Sequence, residues 1–291
     1  MIEAYATLAV FMVQILVVSV LHTAWVIRYF QGKLENHYAD ERYARFFPDW
    51  DRARMDRFLA GFRTVNIGIA LLGVVPLFWL FDMMQSPDWD VWAVRRVISQ
   101  YFMVQMAPFM VLTANWMWLV IKVRRRAPPE VKRTASLQRR QLFDFVSPAT
   151  VFIAVLAYVL CAGLSLYFLQ NPVPEISHPV RPLAMATEVY AIYAAVIYWM
   201  MYGKKVAPLD THAERMREAA LGIKAMFYVG IIIIAHVWFN LGLEVLHVER
   251  WIPVSTSVNL MVMILVVSRC LTVPPRAPEA AGNLRQGAAL S

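Results

Sequence analysis

The chain has 291 residues, carries a net charge of +8, is 59% hydrophobic with a mean hydropathy of +0.50, and is only 16% charged. A soluble domain carries about a quarter charged residues, so an ordinary soluble globular protein is excluded. Nucleic-acid binding is not implied by the basic surplus, because the cations sit in short connections between apolar runs, where they report topology.

Apolar runs of about twenty residues, each bounded by charge or proline, recur seven times and predict an all-α polytopic membrane protein. The predicted spans are 4–27, 58–82, 99–121, 145–169, 183–202, 219–243 and 252–273, forming a single seven-helix transmembrane domain over 1–273. Lys and Arg number seven, eight, four and three in the first, third and fifth connections and the C-terminal end. The other connections hold two, one and one, a bias of twenty-two against four. The positive-inside rule then puts the N-terminus outside and the C-terminus in the cytoplasm. The first charge after Met1 is Glu3 and no basic segment precedes the first run, so a cleaved leader is not expected. Short connections suggest a plasma membrane, specifically a bacterial inner membrane.

Along the chain, the first connection (34–57) mixes Tyr38, Tyr43, Phe46, Phe47 and Trp50 with acids and arginines, and predicts a short interfacial helix that Pro48 breaks. After the third span, Arg124, Arg125 and Arg126 precede Pro128 and Pro129, a basic elbow suited to anionic headgroups or a protein partner. Pro172, Pro174, Pro179 and Pro182 predict an extended loop over 171–182. The tail 274–291, rich in Pro, Gly and Ala, reads as disordered. Cys161 and Cys270 fall in opposite leaflets of this topology, which excludes a disulfide between them.

An internal repeat is visible: Phe11-Met12-Val13-Gln14 recurs as Phe102-Met103-Val104-Gln105, with Trp25 and Trp116 each eleven residues after the glutamine. Glu188 and Trp199 share that spacing in the fifth span, and Ala60-Gly61-Phe62-Arg63 is echoed by Leu221-Gly222-Ile223-Lys224. Three helix hairpins plus a seventh helix would account for these matches. Eleven residues are about three helical turns, or roughly 16 Å, so the tryptophans ring one interface as an aromatic belt.

The polar residues inside the spans form two sets. On the sixth span His236, Asn240 and Glu244 follow at i, i+4 and i+8, a stripe that must face protein or water. With Glu188, Gln105 and Asn259 at comparable depth, the stripe could line an outward-facing cavity for a small polar or cationic solute or a proton. A carboxylate at the depth of Glu188 costs roughly 2 to 3 kcal/mol unless paired, protonated or wet. Helix-to-helix hydrogen bonding is the alternative use of such a stripe. The second set, His22, Arg63, Asn66, Asn115, Asp144 and Lys224, lies toward the cytoplasm, where Arg63 and Lys224 either snorkel to headgroups or turn inward to meet Asp144.

Several activities lack their residues. Microbial rhodopsins hold retinal on a lysine of the seventh helix, and 251–273 contains none; His22 and His236 lie at different depths, against bis-histidine haem binding. No HExxH, G-x-S-x-G, P-loop or dinucleotide fingerprint occurs, and the sixteen methionines scatter through apolar helices as filler rather than as a copper site. No cofactor is named by the sequence. Beside solute binding stand two alternatives: a non-catalytic subunit or scaffold using the basic face, and an intramembrane lipid-modifying enzyme with Glu188 and His236 as acid and base. Pro108 is the expected helix break in the third span.

Overall fold

A computed structural model describes residues 2–39, 45–46, 49–126, 141–172, 180–202 and 212–271. The described residues are helical with no strand, and seven helices are long and apolar enough to cross a membrane. Such a chain is a multi-pass membrane protein by length and composition.

The first span joins α1 (Ile2–Leu16), a π-helical segment (Val17–His22) and α2 (Thr23–Ala39). The second joins α3 (Asp49–Leu72) to α4 (Val74–Met83). The remaining spans are α5 (Val91–Arg126), α6 (Pro148–Gln170), α7 (Val180–Tyr202), α8 (His212–Val245) and α9 (Ile252–Leu271). Short 3-10 turns, Leu142–Asp144 and Glu249–Trp251, lead into α6 and α9.

The seventh span packs against the first, third and sixth, while the sixth also packs against the fourth and fifth. The result is a four-helix group of spans one, two, three and seven, joined through the seventh and sixth to a three-helix group of spans four to six. Burial follows that order: 39% of the apolar stretch is buried in the first and seventh spans, against 6% in the fifth. Between membrane helices close packing and hydrogen bonds replace the hydrophobic effect, so the two most buried spans also carry most of the buried polar side chains, among them Gln14, Ser19, His22, Ser257 and Ser268.

Several expected boundaries move. A hydrocarbon core about 30 Å thick needs some twenty helical residues, yet the first three spanning helices hold 35, 33 and 33. They run on toward the basic connections, and residues 40–44 and 47–48 of the first connection, where a short interfacial helix was expected, lie outside the described residues. Pro48, expected to break that helix, lies outside the described residues, and α3 begins at Asp49. In the third span α5 runs unbroken through Pro108.

The second span is the one that breaks, at Gly73, three residues before Pro76. The Tyr101 hydroxyl enters there and donates to the Ile69 carbonyl at 2.5 Å. A Cβ on Gly73 would lie 2.5 Å from the Tyr101 hydroxyl oxygen and 2.9 Å from Ile15, so only glycine fits this approach. The expected loop 171–182 is shortened by α7, which starts at Val180 and carries Pro182 in its first turn, where a missing N–H costs nothing. Residues 173–179 and the tail 274–291 lie outside the described residues.

Candidate functional site

Two polar regions lie between the spans. The first is near the end of the bundle remote from the basic connections. The side-chain amide of Asn240 is buried between α8 and α9; its nitrogen meets His236 Nε2 at 3.1 Å and its oxygen accepts from the Ser255 hydroxyl. Because the amide oxygen is used by Ser255, the amide nitrogen donates to Nε2, which leaves the imidazole proton on Nδ1. One turn beyond Asn240, half-buried Glu244 lies within electrostatic reach of Arg95 on α5, and Arg95 also acts on His236. Arg181, at the start of α7, is a further charged neighbour of Arg95. Arg250 donates to the Pro87 carbonyl at 2.5 Å, which ties the sixth connection to the second.

The second region is buried in the four-helix group. Gln105, 1% exposed, donates to the Ser19 hydroxyl at 2.8 Å and to the Ile15 carbonyl at 3.5 Å, and accepts from Gln14 at 3.5 Å. The two glutamines are those of the repeated Phe-Met-Val-Gln motif, and here they face each other, with the Phe11 ring edge-on to Tyr101. The Gln105 amide reaches the first span where its helix widens from α to π at Val17–His22, a geometry often associated with functional sites. His22 is 3% exposed; its Nδ1 lies 2.7 Å from the Ser268 hydroxyl and its ring meets Phe109. Four buried polar atoms of this region have no hydrogen-bond partner among the described residues: Gln14 Oε1, His22 Nε2, Thr23 Oγ1 and Ser257 Oγ. Each such atom costs about 1 to 3 kcal/mol if left dry.

On the basic side the Asp51 side chain is fully buried, 2.6 Å from Lys122 Nζ and 3.5 Å from Arg126. Arg126 also donates to the Phe46 carbonyl. Lys33 pairs with Glu218, linking the basic ends of the first and sixth spans. A separate apolar cavity of about 360 Å³ lies among α6, α7 and α8, walled by Ala154, Tyr190, Tyr193, Tyr198, Phe227 and Gly230.

The residues expected to share one cavity are therefore found in three places. His236, Asn240 and Glu244 stand together at the sixth–seventh interface, and half-buried Asn259 is one turn from Ser255 on α9. Gln105 belongs to the buried interface of the first and third spans. Glu188 is exposed on α7 and forms no hydrogen bond or ion pair among the described residues, so it is not joined to His236.

In the second set, Arg63 and Lys224 are exposed, and Asp144 accepts from the Gln141 backbone N–H at 2.8 Å, capping its own 3-10 turn instead of meeting either cation. Asn66 is buried and donates to the Phe62 carbonyl; Asn115 is half-buried. Arg125 is exposed, Arg126 is tied to Asp51, and the Arg124 side chain lies outside the described residues. Cys161 is buried and free; the Cys270 side chain is outside the described residues.

Sequence reasoning missed Arg95, Ser255, Ser268 and Asp51. Arg95 was assigned to a connection because the third span was begun at 99, and the serines are too small to stand out in an apolar run. Asp51 carried one usable signal, its place in the first turn of a helix following a proline. No protein family matches the chain, and no curated protein or solved structure matches it either.

Proposed function

We propose that this membrane protein binds a small polar or charged solute between its third, sixth and seventh spans, from the side opposite its basic connections. With the positive-inside rule, that side is the exterior, the N-terminus is outside and the C-terminus is cytoplasmic. One observation carries the reading: the buried Asn240 amide joins His236 of the sixth span to Ser255 of the seventh, with half-buried Glu244 one turn further along α8 and Arg95 in the first turns of α5. A charged pair near a membrane surface, continued inward by neutral donors and acceptors, provides groups for a solute that exchanges its hydration for protein contacts. In this reading Arg95 and Glu244 contact the charged groups of the solute, and Asn240, Ser255 and Asn259 contact its neutral ones. Whether the solute is carried across is a separate step for which the reading assigns no residue.

The test is thermal unfolding of the full chain in lipid nanodiscs against a panel of amino acids, polyamines and alkali cations. A bound solute raises the midpoint as its concentration passes Kd, the stabilisation reaching about 2.7 kcal/mol at a hundred times Kd. The expected result is a shift with at least one class, lost in Glu244→Gln and Arg95→Gln and kept in Glu188→Gln. No shift across the panel, or one that Glu244→Gln leaves unchanged, overturns the reading.

A second reading, a membrane subunit that holds a protein partner, is favoured by the fifth span. Its apolar stretch is only 6% buried and exposes the Glu188 carboxylate, which in a bilayer calls for a cation or donor on an adjoining helix. Co-purification that depends on Glu188 would select this reading over solute binding.

A further inference from the structure

We infer that the interface of the first, third and seventh spans holds a file of internal water ending on His22, and that this file places the imidazole in proton exchange with solvent. The site is distinct from the polar region of the sixth and seventh spans, and it does not depend on solute binding there.

The argument starts from the register of the first and seventh spans. His22 is bonded to Ser268, and Val18 packs with Ile264, so residues of α9 lie level with first-span residues numbered 246 lower. Ser257 is then level with Phe11. The partnerless atoms of Ser257, Gln14, His22 and Thr23 thus spread along about twelve residues of the first span, roughly 18 Å at 1.5 Å per residue. All four side chains are at least nine-tenths buried. Between them lie hydroxyls and amides already in place, those of Ser19, Gln105 and Ser268.

Buried polar atoms in proteins find a partner, and where the protein supplies none, ordered water does. This set is an amide, two hydroxyls and an imidazole, with no formal charge among them. A small neutral molecule that both donates and accepts satisfies all four atoms, and water is that molecule. A helix locally widened to π at Val17–His22 offers looser packing along the same face.

The file has a closed end. Beyond Thr23 the same face of the first span continues as Val26, Phe30 and Leu34, packed with Leu59, Phe62 and Leu112 in a buried apolar cluster. His22 and Thr23 therefore lie where the buried apolar cluster begins, and Nε2 and Oγ1 are the last two atoms of the file. Charged side chains described on the elements packed around it are Glu3, Arg28, Lys33 and Glu35 on the first span, Asp51, Arg52, Arg54, Asp56, Arg57, Arg63 and Asp82 on the second, Arg95, Arg96, Lys122, Arg125 and Arg126 on the third, and Arg269 on the seventh. The hydrogen-bond partner of the imidazole among the described residues is the neutral Ser268 hydroxyl. In the exchange step a proton leaves a hydronium ion of the file, the N–H bond forms at Nε2, and the positive charge passes to the imidazolium. Return of the Nε2 proton to a water of the file, which becomes hydronium again, completes the cycle, while Nδ1 stays hydrogen-bonded to Ser268.

The test uses the full chain in liposomes, labelled with 15N-histidine and transferred to deuterated buffer. The chain has six histidines, and the His22 ring signals are those lost in His22→Gln. The expected result is a His22 ring proton that exchanges at least a hundredfold faster than the protein unfolds. Ser257→Val and Gln14→Leu, which remove two partners along the file, should slow that exchange at least tenfold. Exchange of the native chain at the rate of unfolding overturns the inference, and needs no variant to fold. Fast exchange that both variants leave unchanged also overturns it, since His22 would then reach solvent by another route.

Discussion

Asp51 offers the most quantitative test of the packing. Its carboxylate is fully buried on α3 between Lys122 and Arg126 of α5, with the cations 17% and 39% exposed. Removing one partner of a buried ion pair costs about 3 to 5 kcal/mol, because the other charge is left without compensation. Here the two cations can turn partly to water, which lowers the figure, while the lost acid in the first turn of α3 adds about 0.3 to 1 kcal/mol. Asp51→Ala should therefore destabilise by about 2 to 3 kcal/mol, or roughly 5 to 10 °C in the unfolding midpoint. Asp56→Ala, at an exposed position of the same helix, is the matched control. The assay is built into the chain: Cys161 is buried and free, so in a Cys270→Ser background a thiol-reactive dye reports unfolding through Cys161 alone. Asp51→Leu combined with Lys122→Met should recover most of the loss, since an apolar pair carries no desolvation penalty. Equal midpoints for Asp51→Ala and Asp56→Ala, within about 0.5 kcal/mol, would refute the claim that this ion cluster fastens the second span to the third.

Three further outcomes are expected. Gly73→Ala should destabilise by about 1 to 3 kcal/mol, because its Cβ meets the Tyr101 hydroxyl and Ile15, whereas Gly68→Ala, with nothing within 4 Å, should be neutral or stabilising; paired melts check both. Gln105→Leu should cost about 1 to 2 kcal/mol by stranding Ser19 and Gln14, and adding Gln14→Leu should cost less than the sum, as a double-mutant cycle measures. Cys161 should resist a membrane-permeant maleimide in the folded protein and react fully on unfolding, which mass spectrometry reads directly.

Where the chain crosses a membrane was legible because a single physical quantity controls it. A hydrocarbon layer of fixed thickness requires about twenty apolar residues per crossing, and all seven runs recur as helices long and apolar enough to span. Helix ends were less legible, since helices continue into water wherever charged residues pair there, as Asp51 with Lys122 and Lys33 with Glu218. Pro108 shows the same limit from the other side: a proline that reads as a break is absorbed into a continuous α5, while the interruption falls at Gly73.

The candidate site was legible only in part. The i, i+4 spacing put His236 and Asn240 on one face, and they are hydrogen-bonded to each other. Spacing along one helix carries no information about which neighbour that face meets, so Ser255 and Arg95 were not found. Nor did depth alone separate Glu188 from Gln105: both are polar residues within a span, yet one is exposed and the other 1% exposed. By itself the sequence determined the all-helical class and the number of helices long and apolar enough to cross, because these follow from composition summed over twenty-residue windows. Tertiary structure alone decided how each helix is turned about its axis, and with it whether a polar side chain became a packing bond, a buried atom without a partner or an exposed charge, because that rotation is set by side chains on other spans.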